Sequence, residues 1–238
     1  MGWGYHDYYS TPSVAEQKRR AEKQLAKLRK QDPDVEPVVI EGRKIATTWW
    51  GMAWCKNLER YADYDNRIGR GSAYVKNGFV LDLCIVEGVI AVQVSGSSLY
   101  QVEIEIDKLA EEKWNKIAAL CAKRIDSIAA LAEGKFPEEF QEAFMRQGDG
   151  LFPSPKEIHM DCSCPDWATM CKHIAAALYA VGAKLDADPL LLFTLRGIDP
   201  TELIKKSVDE KMKSLLANAG KASGRVIDER DVGRIFGV

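Results

Sequence analysis

The sequence predicts an α+β protein: an antiparallel β-meander covered by helices, then a compact module built around a strand and a helix, then C-terminal helices. Three observations predict it. Over residues 72–106, turn signals at Asn77-Gly78, Glu87-Gly88 and Ser95-Gly96 separate runs of β-branched residues, the pattern of strands joined by tight hairpins. From Asp107 to Gly134, Trp114, Ile117, Cys121, Ile125 and Ile128 recur at helical spacing and offer an apolar face to cover such a sheet. Finally, three of the six cysteines and one of the three histidines fall within the twelve residues from Cys162 to His173.

Composition bounds the rest. With 238 residues, 46% hydrophobic and 29% charged, the chain can bury a substantial core in one domain or two. No basic-then-apolar leader is expected, and the longest apolar run, Ile174 to Val181, is eight residues against the roughly twenty that span a bilayer. A cytoplasmic location without a membrane partner is therefore expected, and the cysteines then suit metal ligation in a reducing compartment better than a disulfide framework. The net charge of −2 means that any nucleic-acid contact must use a local patch. Charge is indeed uneven: Glu16 to Lys30 holds seven basic and two acidic residues, whereas Leu99 to Glu142 holds ten acidic and six basic.

In chain order, four segments emerge. Residues 1–35 comprise an aromatic stretch with Trp3, Tyr5, Tyr8 and Tyr9, expected to dock on the protein's own surface, and a helix that Ser13 caps and Asp32-Pro33 ends. A thin apolar line of Val14, Ala21, Leu25 and Leu28 leaves Lys18, Arg19, Arg20, Lys23, Lys27, Arg29 and Lys30 around it. It is a candidate phosphate-binding helix, its competing reading a solvated charged face. Residues 36–148 form the meander domain. There Thr48 caps a helix with the stripe Trp50, Trp54, Leu58 and Tyr61, read as a core anchor and not a stacking platform. Arg67, Arg70, Tyr74 and Lys76 read as a Gly-rich loop and early strand, a weak single-strand or phosphate signal. Cys55, Cys84 and Cys121 read as buried thiols. Gly148-Asp149-Gly150 and Pro153-Ser154-Pro155 mark the boundary to residues 149–186, the cysteine-rich module, and the meander domain is expected to hold its own core without it. Residues 187–238 contain a short helix started at Asp188-Pro189 and stopped by Gly197, a helix from the cap Asp199-Pro200-Thr201-Glu202 to about Asn218, a linker from Ala219 to Gly224 and an apolar tail of Val232, Ile235, Phe236 and Val238.

The chemistry lies in Cys162-Ser163-Cys164 and Cys171-Lys172-His173. Ile158, Met160, Cys162 and Cys164 share one face of an extended segment, with Glu157, His159, Asp161 and Ser163 on the other. Cys171 and His173 precede an apolar helix, where residues two apart point about 200° from each other. They reach one ion together only at the helix's first turn, where free N–H groups also favour a thiolate. Three thiolates and one imidazole fill a tetrahedron, so one structural zinc ion is expected, with no position open for substrate or water.

Cys-x-Cys, six residues, Cys-x-His and an apolar helix together resemble the SWIM zinc finger, the family named for Swi/Snf-type ATPases and Mu-type plant transposases. The resemblance implies a strand-strand-helix module with Cys162, Cys164, Cys171 and His173 as ligands, and a role in binding DNA or protein. Thr47-Thr48-Trp49-Trp50-Gly51 and Leu151-Phe152-Pro153-Ser154-Pro155, with the Gly-Trp-Gly-Tyr start, extend it to the stand-alone prokaryotic SWIM proteins, whose genes often neighbour a Swi/Snf-type helicase. That resemblance implies such an ATPase as partner. The expected function is thus a non-enzymatic zinc-binding accessory protein that contacts DNA, RNA or protein, with Lys18, Arg19, Lys23, Lys27, Arg67, Arg70 and Lys76 as candidate phosphate contacts. The alternative, a zinc- or thiol-dependent enzyme, needs an open ligand position or a thiol paired with a base. His159, on the face away from Cys162, is poorly placed for either.

Overall fold

The computed structural model describes residues 12–60, 65–121, 128–134 and 138–202, with 205, 209, 212, 213 and 216 beyond them. The aromatic N-terminal segment, Tyr61, the C-terminal linker and the apolar tail lie outside the described residues, as do the side chains of Cys121, Ile125 and Ile128. The helix expected up to about Asn218 lies within them only in part.

The β-branched runs form the expected meander. β1 (Val80–Val86), β2 (Val89–Ser95) and β3 (Leu99–Ile106) pair antiparallel in sequence order. Gly78 and Gly88 take the left-handed φ values of 75° and 72° that the turns before β1 and β2 require. β4 (Ile158–Cys162) then joins the far edge of β3, completing a four-stranded sheet of order β1-β2-β3-β4. Alternation sends Leu83, Ile90, Val92, Val102, Ile104 and Ile106 inward and leaves Ala91, Gln101, Glu103, Glu105 and Asp161 on a wet face. Cys84 was expected inside but is exposed. Leu83 takes the inward position, so its neighbour faces solvent opposite Ala91.

The inner face is covered by α7 (Lys172–Ala187), in which every residue from His173 to Gly182 is buried. Its alanines, Ala175, Ala176, Ala177 and Ala180, let flanking helices approach closely. On one side lies α2 (Trp49–Glu59), whose N-cap Thr48 accepts from the Gly51 N–H. Trp50, Trp54 and Leu58 are buried, as the stripe required, and the Trp54 Nε1–H donates to the Leu178 carbonyl at 2.7 Å. On the other side lies α3 (Asp65–Lys76). Residues 67–76 were expected as loop and early strand, so the first strand starts later than expected, at Val80. The glycines that suggested a loop serve packing: a Cβ on Gly71 would stand 2.5 Å from the Ala175 Cβ and 2.7 Å from its carbonyl carbon.

α1 (Val14–Gln31) carries the expected capping box of Ser13 and Glu16 and docks through Ala21, Leu25 and Leu28 on Phe79, Leu81 and Leu99. Val14, expected on its apolar line, is exposed. The helix expected from Asp107 begins later, as α4 (Glu111–Cys121), because the Asp107 N–H continues the sheet by donating to the Glu157 carbonyl. α5 (Ile128–Glu133), α6 (Glu138–Met145) and α8 (Leu191–Leu195) follow, with left-handed Gly134 and Gly197 closing α5 and α8. Pro153-Ser154-Pro155 does not separate one core from another. Residues 36–148 and 149–186 share one sheet through β3 and β4 and one apolar cluster running from Val38 to Leu195.

Candidate metal centre

Strand geometry delivers the first pair of ligands. Cys162 closes β4 opposite Val102, and Cys164 follows after Ser163, whose N–H donates to the Gln101 carbonyl and whose Oγ accepts from the Gln101 N–H. The sheet thus holds the Cys-x-Cys segment extended, with both sulfurs on one side. Pro165-Asp166 turns the chain away, and the Asp166 carboxylate stabilises the loop twice: it accepts from the Ala168 N–H at 3.3 Å and pairs with the Arg67 guanidinium of α3. Met170, 2% exposed, anchors the return.

The second pair arrives on α7. Cys171 is its N-cap, and its Sγ accepts from the Ile174 N–H at 3.5 Å. This is the first-turn placement that the two-residue spacing required. The Cys162 Sγ and Cys171 Sγ lie 3.9 Å and 3.8 Å from His173 Nδ1. Zinc–ligand lengths of about 2.0–2.3 Å at tetrahedral angles place donor atoms about 3.6–3.8 Å apart. All four donors, Cys162, Cys164, Cys171 and His173, fall within 4.8 Å of one another. The residues therefore fit a single zinc ion, bound through Nδ1 of the histidine. Cys171 is the most acidic thiol of the set: a hydrogen bond from Cys162 outweighs burial, and His173 and the Ile174 N–H add to it, holding its pKa at about 3.

Aromatic rings fix the histidine. Tyr100 lies against it at 4.4 Å between ring centroids and Tyr74 meets it edge-on at 5.6 Å. Nε2 is buried without a hydrogen-bond partner among the described residues. It points toward Gly96, where a Cβ would stand 3.0 Å from it and 2.7 Å from the Tyr100 ring. Neither tyrosine nor Gly96 was legible as part of the site, because their roles depend on the hairpin folding over α7. His159 points away, its Nε2 3.0 Å from Asp107 Oδ1 on the wet face, as the alternation required.

The expected phosphate contacts divide into two groups. Lys18, Arg19, Lys23 and Lys27 are all exposed on α1. The Arg20 guanidinium of the same helix donates to the Gly96 carbonyl at 3.1 Å, which sets α1 beside the hairpin that covers His173. On α3, Arg67 is engaged with Asp166, while Arg70 and Lys76 are exposed. Tyr74 joins the two groups. It packs against Phe79 under α1, against His173 in the site, and beneath the Lys172 ammonium at 5.2 Å.

Fold and donor set together define a zinc finger of closed Cys₃His type, hung between a sheet edge and a helix N-terminus. The SWIM zinc finger model matches residues 155–182, so the chain carries a SWIM zinc finger with those four residues positioned to bind one zinc ion. The described module has only β4 as a strand of its own, in place of the expected strand pair; β3 of the meander supplies its partner. The chain is also similar to an uncharacterized protein of Mycobacterium tuberculosis, 33% identical over 163 residues that cover 67% of this chain and 58% of that relative. No solved structure matches it. Among the described residues no helix is long and apolar enough to cross a membrane.

Proposed function

We propose that this is a non-catalytic, cytoplasmic zinc-finger accessory protein that contacts nucleic acid and works alongside a Swi/Snf-type ATPase. The observation that carries the reading is the position of α1: the Arg20 bond to Gly96 ties its exposed Lys18, Arg19, Lys23 and Lys27 to the hairpin that lies over His173 of the finger. The zinc centre itself does not attract phosphate, since three thiolates outweigh Zn²⁺ by one charge and Asp161 lies exposed nearby. Flanking cations therefore have to supply the attraction. Four protein donors already fill a tetrahedron, which favours a folding role for the metal over a catalytic one. The ATPase partner follows from the resemblance of the wider chain to SWIM proteins encoded beside such enzymes.

Fluorescence-anisotropy titration against single- and double-stranded DNA at several salt concentrations tests the reading. Binding should weaken steeply with salt, and Lys18→Ala, Arg19→Ala, Lys23→Ala and Lys27→Ala together should flatten that dependence by about one logarithmic unit for each phosphate no longer neutralised. An absence of binding at low salt, or binding indifferent to the four substitutions, would leave the protein acting as an adaptor for its ATPase alone.

A further inference from the structure

Trp167 is 99% exposed, although it sits in the loop that Cys164 and Cys171 bracket. A tryptophan ordinarily buries most of its large apolar surface, and the other described tryptophans, Trp49, Trp50, Trp54 and Trp114, are buried or half-buried. The loop carrying Trp167 is not slack. Cys164 and Cys171 bracket it as ligands, Arg67 and the Ala168 N–H hold Asp166, and Met170 is buried beneath it. A rigid loop thus presents an indole that the fold itself does not use.

We propose that Trp167 stacks on a base of single-stranded nucleic acid, an inference that rests on the nucleic-acid reading above. The surroundings favour a base over an apolar protein pocket. Protein hot spots sit within continuous patches, yet the loop neighbours of Trp167 are Pro165, Asp166, Ala168 and Thr169, and no other large exposed hydrophobic residue belongs to the loop. Stacking needs only a free π-face with cations nearby for the adjacent phosphates. Arg67 neutralises the loop's one acid, Asp166, and Arg70, one helical turn further along α3, is exposed. Lys172 begins α7 beside the loop. A paired duplex hides the faces of its bases, so the same geometry selects single strands.

The test is anisotropy titration of the full chain, zinc-loaded, with a labelled oligo(dT) strand of about 15 nucleotides. Trp167→Ala should weaken binding about tenfold or more, Trp167→Phe should restore it to within about threefold, and the salt dependence should be unchanged in both, because stacking releases no counterions. Both variants should retain one zinc per chain, which separates a stacking defect from a folding defect. If Trp167→Ala binds like the wild type while the four α1 substitutions still flatten the salt dependence, stacking is refuted and the nucleic-acid reading stands. If the wild type binds no strand at low salt, both are refuted.

Discussion

Arg196, the C-cap of α8, holds a guanidinium at 0% exposure. Its Nη2 donates to Glu157 Oε1 at 2.7 Å and its Nη1 to the Asp107 carbonyl at 2.6 Å. Burial pushes the Glu157 carboxyl up, but hydrogen bonds from Arg196 and from both the Ser154 hydroxyl and its N–H outweigh this and hold it at about 2. The unfolded value is 4.5, so the folded state binds this proton less readily than the unfolded one. The resulting stability, about 3 kcal/mol, is fully present above the unfolded value and is lost as pH falls from there toward the folded value. Glu157→Gln leaves a buried charge unmatched and should cost about 3–5 kcal/mol near neutrality. Urea titration of the zinc-loaded wild type and variant at about pH 7, where the zinc-binding thiolates stay ligated, checks this. A loss below about 1 kcal/mol would mean that Glu157 does not carry the pair.

Among the elements, α3 shows most clearly what sequence does and does not reveal. Strands and caps were legible because their signals are local: period-two alternation in Val102, Ile104 and Ile106, or the box of Ser13 and Glu16. The four ligands were legible for a similar reason, since a shared coordination sphere constrains spacing within twelve residues. α3 was not, because Gly69 and Gly71 oppose a helix locally, and what favours it is the alanine surface of α7, remote in sequence. Asp186 was hidden in the same way. From the last turns of α7 it accepts from the Thr47 and Thr48 hydroxyls at 2.8 Å and 2.7 Å and fixes the start of α2. Gly69 and Gly71 make a sharp prediction from this. Nothing lies within 4 Å of a Cβ built on Gly69, so Gly69→Ala should stabilise by about 0.5–1 kcal/mol through helix propensity. Gly71→Ala drives a methyl into the Ala175 backbone and should destabilise by about 1–3 kcal/mol or more. Chemical denaturation of the two variants measures both signs. A stabilising Gly71→Ala would mean that α3 and α7 are not this close.

At the scale of the whole molecule, the finger is a structural element of the protein and not an appendage. Its strand extends the meander, and its helix is the buried layer against which the sheet, α2 and α3 all pack. Metal loss is therefore expected to act well beyond residues 155–182. Without the ion, Cys162, Cys164, Cys171 and His173 lose the bonds that hold the end of β4 to the N-terminus of α7, just where α7 enters the core. Structural zinc supplies about 10–16 kcal/mol in isolated finger peptides. A domain of ordinary stability has about 5–15 kcal/mol in total, so even a fraction of the zinc contribution decides whether the native state persists. Cys171→Ser, or chelation of the wild type, should remove the single zinc and abolish the near-ultraviolet dichroism of Trp54, whose indole donates to the Leu178 carbonyl of α7. Sheet and finger should be lost in one transition. If the sheet instead kept its cooperative unfolding after the metal left, the shared core would have to be divisible between β3 and β4 after all.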